Sequence, residues 1–147
     1  MATASRDDPF AAFNFIVEID GVTKAGFSEC TGVSIETDAI EYRNGNEDIT
    51  VRKLPGLKKF GNITFKRGFT KDKGLWDWRK LVLDGKTERH SGSITLLNEA
   101  RKASVRWNFR EAWPRKLDGP AFNAKTNEVA IETLEIVVEG VEVENVG

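Results

Sequence analysis

The sequence predicts a mainly β domain with one helix: an antiparallel β-barrel or sandwich subunit with the helix on its flank. Three observations carry this. Run after run alternates apolar and polar residues with the period of a half-buried strand, Gly, Asn, Asp and Pro punctuate the runs, and one stretch alone has apolar residues at helical spacing. The 147 residues suit a single domain spanning 1–147. Hydrophobic residues at 39% and charged residues at 31% allow a modest core under a polar exterior.

Phe13-Asn14-Phe15-Ile16-Val17-Glu18-Ile19-Asp20 alternates as a strand does, and Asp20-Gly21 is a strong hairpin signal, with Val22 to Phe27 as the return arm. Gly26 and Gly32 punctuate the passage to an extended run, Val33 to Arg43. In that run Ile35, Thr37 and Ala39 alternate with Glu36, Asp38 and Ile40, so one face is strongly polar along much of its length. Asn44-Gly45-Asn46-Glu47-Asp48 then forms a polar tip, and Ile49 to Lys53 completes a second hairpin. Leu54-Pro55-Gly56 reads as a turn.

Gly61 to Phe69 is a further strand, with Ile63, Phe65 and Arg67 on its core side. Lys73 to Asp84 is the helix: Leu75, Trp78, Leu81 and Val82 share a face, Asp72 caps the start and Gly85 ends it. Ser93 to Leu97, Ala103 to Trp113 and Glu128 to Val143 are three more extended segments, with turns at Asn98 to Lys102 and Pro114 to Pro120. The predicted core comprises Phe15, Val17, Ile63, Phe65, Trp78, Leu81, Trp107 and Phe109.

Met1 to Asp8 has no apolar segment of the signal-peptide kind, and no run approaches the roughly 18 apolar residues of a membrane span. The expectation is synthesis in the bacterial cytoplasm without a signal peptide or membrane anchor, residues 1–8 forming a flexible arm. Cys30 is the only cysteine, which excludes an intrachain disulfide and a cysteine-rich zinc site.

The net charge of -1 hides a pattern. Residues 1–48 carry three cations against ten carboxylates, and residues 52–73 carry eight cations against Asp72 alone. From Glu128 onward there are six glutamates and no cation. Three readings stay open: pairing within one subunit, a nucleic-acid patch, or opposite charges meeting between copies.

No constellation suggests catalysis, a cofactor or a metal. His90 stands beside Ser91 in a Gly-rich turn without a nucleophile motif, and reads as a solvated loop histidine. The tip Asn44 to Asp48 lacks the ligand order of a calcium loop. Trp76, Trp78, Trp107 and Trp113, interspersed with Arg79, Arg106 and Arg110, could stack on bases or sugars, but read first as core and rim aromatics.

Ordered blocks of sequence carry a family likeness. Asp8-Pro9-Phe10, Phe13 to Ile19, Gly26-Phe27-Ser28-Glu29-Cys30-Thr31-Gly32, Glu41 to Glu47, Lys53-Leu54-Pro55-Gly56-Leu57 and Lys66-Arg67-Gly68 follow one another. Leu75-Trp76, Trp78, Trp107-Asn108-Phe109, Ala112-Trp113-Pro114 and Glu132-Thr133-Leu134-Glu135-Ile136 continue the series. Together they resemble the tail tube proteins of contractile phages and phage-tail-like extracellular injection systems.

The resemblance implies a structural subunit that forms homohexameric rings with a continuous inner β-barrel, stacked into a tube. Its implied partners are a surrounding sheath, baseplate or spike proteins, a terminal cap, and a lumenal cargo or tape-measure protein, in a particle released from the cell. Residues 42–52 would be an assembly hairpin, with Tyr42, Arg43, Asn44, Asn46, Glu47, Asp48, Arg52 and Lys53 between subunits. Glu47 and Asp48 would meet cations of another copy among Arg52 to Lys73. Glu36, Asp38, Asn62, Thr64 and Lys66 would face the lumen. A phage virion tube, a type VI-like tube protein, a capping adaptor, and a carbohydrate- or nucleic-acid-binding β-module remain alternatives.

Overall fold

Asp20 and Gly21 reverse the chain between β1 (Phe15–Ile19) and β2 (Thr23–Ala25), Gly21 taking the positive φ such a turn needs. This computed structural model describes residues 15–25, 27–43, 45, 51–122, 125 and 130–147. The predicted arm 1–8 and the tip residues Asn44, Asn46, Glu47 and Asp48 lie outside them. Beyond the first hairpin come β3 (Glu29–Thr31), β4 (Ile35–Tyr42), β5 (Arg52–Phe60) and β6 (Ile63–Gly68). The helix α1 (Gly74–Leu83) follows, then β7 (His90–Leu97), β8 (Ala103–Asp118), β9 (Ile131–Val137) and β10 (Gly140–Asn145).

The long strand β8 organises the fold. Its first part pairs with β7 on one edge and β10 on the other, while Trp113 to Asp118 pairs with β9. The change comes at an irregularity where Glu111 has φ 54°. A bulge there bends the strand and re-aims its side chains. The sheet thus runs β2-β1-β7-β8-β9-β6-β3, with β10 joined to β8, as two halves sharing a bent strand.

The two halves face each other across the core as an open sandwich, and among the described residues no continuous barrel closes within one chain. Val17, Ile19 and Phe109 from one half meet Ile63, Phe65, Leu134 and Ile136 from the other, and the Phe65 and Phe109 rings lie 6.4 Å apart. Leu75 and Trp78 on α1 join the same core, with Trp78 Nε1 donating to the Glu88 carbonyl at 2.8 Å. Predicted core residues Phe15 and Trp107 are half-buried at its margin. Leu81 is half-buried and outside it, lining a small surface cleft with Val22, Glu88 and His90 instead.

Several sequence expectations are corrected. Leu54-Pro55-Gly56 is not a turn but the middle of β5, with Pro55 opposite Ala39. Proline is tolerated because β5 is an edge strand, where a missing N–H need not break a ladder. Pro114 likewise lies inside β8, buried, beside the register shift with β9. The segment 128–143 divides into β9 and β10 at Val138-Glu139, where the Glu139 N–H donates to the Arg110 carbonyl at 3.1 Å. His90 is no loop residue: it begins β7, its ring 5.6 Å from that of Trp78. At the start of α1 the N-cap position is Lys73, without a side-chain cap; Asp72 Oδ1 accepts from the Gly74 N–H at 2.9 Å.

Candidate assembly surfaces

Among the described residues β4 and β5 pair only with each other, as a two-stranded ribbon apart from the main sheet. Of residues 42–52, predicted as the assembly hairpin, Tyr42 closes β4 and Arg52 opens β5, while Asn44 and residues 46–50 lie outside the described residues. The ribbon is longer than expected because β5 continues through Pro55. Between the Thr37–Lys58 and Ala39–Pro55 pairs β5 has one extra residue, a bulge at Gly56-Leu57 opposite Asp38. Gly56 keeps the bulge tight: a Cβ would come within 2.9 Å of the Ile40 side chain and 3.1 Å of the Asp38 carbonyl, so a neighbour would have to shift.

Nearly all side chains of the ribbon are exposed, the apolar ones included. Leu57 is 73%, Ile35 61% and Ile40 52% exposed, with Tyr42, Val51 and Leu54 also open to solvent. Register places Ile40 opposite Leu54 and Tyr42 opposite Arg52 on one face. An isolated two-stranded ribbon is marginal in water, and one with this much uncovered apolar surface is built to be covered. Its charges are largely balanced internally, since acidic β4 lies against basic β5: Glu36 faces Lys59, Glu41 faces Lys53, and Asp38 pairs with Lys59 at 3.4 Å.

The predicted lumen-facing residues fall on two surfaces. Glu36 and Asp38 belong to the ribbon. Asn62, Thr64 and Lys66 lie on the polar face of β6, where Thr64 aligns with Thr31 and Glu135, and Lys66 with Glu29 and Thr133. Lys66 pairs with Glu29 at 3.7 Å, and Arg115 with Glu135. The opposite face of the same strand carries Ile63, Phe65 and Arg67 into the interior, as the alternation predicted.

Arg67 is the buried charge that this alternation forces inward. Its Nε donates to Glu132 Oε1 at 2.5 Å, and its Nη1 lies 3.4 Å from Thr23 Oγ1 and 3.5 Å from Asp72 Oδ2. Its guanidinium carbon lies 5.3 Å from the centre of the Phe27 ring. Glu132 Oε2 accepts from Trp76 Nε1 at 2.9 Å, so one ion pair ties β6 and β9 to α1. The Gly74 N–H, then Arg67 and Thr23, hold the Asp72 carboxyl below its usual range.

The acidic end is also neutralised within the subunit. Besides Glu132, the glutamates 135, 139, 142 and 144 pair with Arg115, Arg89, Arg110 and Arg106. Of the three readings of the charge pattern, pairing within one subunit therefore accounts for the described carboxylates of the final stretch.

Two further features escaped the sequence reading. β10 pairs with β8 alone, and β2 and β3 each have one partner, so strand edges stand open among the described residues. An apolar cleft of about 260 Å³ opens at the margin of the core, lined by Phe15, Cys30, Val33, Ile94, Leu96 and Trp107. Burial pushes the Cys30 thiol up to about 12. Apolar residues on both alternations of 33–57 were the available signal for the ribbon; open edges leave none in a single sequence. Among the described residues no cluster of His, Cys, Asp and Glu could hold a metal.

Comparison with known proteins follows this geometry. The family described as T4-like virus tail tube protein gp19 matches residues 11–142. A chain of the cryo-EM structure of an extracellular contractile injection system, the PVC sheath–tube complex in its extended state, is 30% identical with a TM-score of 0.84, covering 95% of this chain and 94% of that one. A chain of the anti-feeding prophage cap, the AFP tube terminating cap, is 28% identical with a TM-score of 0.85, over 99% and 97%. Hcp1 from Flavobacterium johnsoniae shares the fold at 16% identity and a TM-score of 0.57, over 89% and 94%. No curated protein matches the chain.

Proposed function

Because this chain belongs to the T4-like virus tail tube protein gp19 family, we propose that it is the inner-tube subunit of an extracellular contractile injection particle, with a mechanical and not a catalytic role. Six copies join edge to edge into a ring, and rings stack into a hollow tube inside a sheath. Baseplate or spike proteins and a cap close its ends, and cargo or a tape-measure protein occupies the lumen. Ring closure relieves the open edges of β2, β3 and β10, which an isolated subunit leaves available for unwanted pairing. A ring of many strands leaves an aqueous channel that polar faces line without desolvation, a role suited to Asn62, Thr64 and Lys66.

The exposed ribbon carries this reading. Burying a single exposed leucine or isoleucine contributes about 1.5–3 kcal/mol, and the ribbon offers several to a neighbour in every ring. Tyr42, Arg43, Arg52 and Lys53, with the tip residues between them, are the contacts expected at its end. Many such contacts, each modest, act together in a polymer while the free subunit stays soluble.

The test is to concentrate the purified protein, with and without a baseplate-like nucleator, and image it by negative-stain electron microscopy beside the I40K/L54K variant. Wild type should give rings or hollow filaments of uniform width, and the variant folded monomers. A monodisperse wild-type monomer under every condition would refute the tube. The likeness to a tube terminating cap favours one second reading, a capping subunit, which would give rings that never elongate.

A further inference from the structure

The eight cations of residues 52–73 are not equally available. Lys59 pairs with Asp38, Lys66 with Glu29 and Arg67 with Glu132; Lys53 lies opposite Glu41, and Arg52 is engaged within the described structure. Lys58 belongs to the ribbon itself, opposite Thr37. Lys71 and Lys73 remain on the body of the subunit, and among the described residues neither has a carboxylate partner.

These two lysines rim an apolar shelf. Phe69, 50% exposed, and Trp76 floor a concavity of about 500 Å³ that also includes Thr70, Lys71, Asp72 and Lys73. The Trp76 ring is held in place from within the subunit: Glu132 accepts its indole N–H, Arg67 pairs with Glu132, and Gly119 approaches the far edge of the ring closely enough that a Cβ would lie 3.6 Å from it. Asp72, half-exposed between the two lysines, already accepts the Gly74 N–H and lies near Thr23 Oγ1 and Arg67 Nη1, so its charge is partly neutralised within the subunit. The shelf therefore presents apolar rings and two lysines around one carboxylate that Arg67 and the Gly74 N–H already engage, a net positive rim suited to an acidic segment with an apolar anchor.

This chain supplies such a segment. Between β4 and β5, residues 44–50 contain Glu47 and Asp48 and no cation, and Ile49 and Val51 follow directly. We propose that the Phe69, Lys71, Lys73 and Trp76 shelf is the docking site for the far end of a second copy's ribbon, its carboxylates against the two lysines and its apolar residues on the two rings. This rests on the tube reading and adds to it where the ribbon lands. Charge fixes which surface the ribbon end meets, and apolar contact holds it there.

A charge swap tests it. K71E/K73E and E47K/D48K should each raise the critical concentration for assembly at least about tenfold in low salt, because like charges then face each other. Chains carrying both pairs of substitutions should recover to within about threefold of wild type. K71Q/K73Q, which removes charge without adding repulsion, should give a smaller loss in the same direction and serves if the reversal unfolds the chain. Sedimentation reads assembly, and denaturant unfolding verifies each fold. If wild type assembles and the lysine variants assemble equally well, or if the swap rescues nothing, the docking site is wrong while the tube stands. A wild-type chain that never assembles overturns the tube and the docking site with it.

Discussion

Replacing Arg67 by methionine should be among the most damaging single changes to the unassembled subunit. Arg67 and Glu132 side chains are 5% and 1% exposed and their charged atoms are 2.5 Å apart. Even at an effective dielectric of about 20, unit charges ~4 Å apart attract by about 4 kcal/mol, and desolvating each ion offsets much of that. Removing one partner is different: Glu132 would stay buried with only the Trp76 N–H to face it, at a cost of about 3–5 kcal/mol. Arg67 Nη2 is buried without a hydrogen-bond partner, which marks the native pair as incompletely satisfied and places the expectation near 3 kcal/mol. Against a domain stability of about 5–15 kcal/mol this is a large fraction, lowering Tm by on the order of 10 °C. E132Q keeps an acceptor for Trp76, so R67M/E132Q removes both charges and should cost less than the two single changes together by about 2 kcal/mol or more. Guanidinium unfolding of dilute monomer at pH 7, followed by tryptophan fluorescence, measures all four corners. A loss under about 1 kcal/mol for R67M, or simple additivity, would refute the claim that this pair ties the sheet to α1.

The Cys30 thiol, pushed up to about 12, should react with iodoacetamide at pH 8 at least about a hundredfold more slowly than in the unfolded chain; comparable rates would mean that the cleft does not shield it. Its folded value lies above the unfolded value of about 8.5, so the thiol's contribution to stability is intact below that pH and is lost as pH rises toward 12. C30A should lack that part of the alkaline loss in a series of unfolding curves. For Asp72 the sign is opposite: with its carboxyl held low, its stabilisation is present above the unfolded value of about 3.9 and fades as pH falls through the folded one. D72N should therefore melt below wild type at pH 7 and converge with it in acid, as thermal melts would show. G56V should misalign the ribbon and abolish filaments in electron micrographs, while denaturant unfolding of the body shifts by less than about 1 kcal/mol; an unchanged filament would count against the bulge.

Legibility in the sequence followed the range of the interactions. The Asp20-Gly21 turn, the helix face of Leu75 and Trp78 and the turn at Asn98 to Lys102 depend on residues a few positions apart, and each stands where it was expected. Alternation even sent Arg67 inward with Ile63 and Phe65, although a charged side chain argues for the opposite face. Pro55 and Pro114 misled for one reason: whether proline ends a strand depends on whether its missing N–H would have had a partner, and that is set by strands far away in sequence. The ribbon was legible as a hairpin of Val33 to Arg43 and Ile49 to Lys53 with a polar tip, but the continuation of its second strand to Phe60 and its uncovered Ile35, Ile40, Leu54 and Leu57 were not.

The sequence by itself determined which residues alternate, where the first hairpin turns, the position of the helix and, through ordered blocks from Asp8 to Ile136, the family. Only the tertiary structure decided where the charges go. Glu132 finds Arg67, Glu135 finds Arg115 and Glu139 finds Arg89 because strand register brings together groups separated by tens of residues. That same pairing leaves Lys71 and Lys73 facing outward beside Phe69 and Trp76. Turn and helix preferences are written in a few neighbouring residues, whereas a pairing partner or an open edge exists only once distant segments have folded against one another.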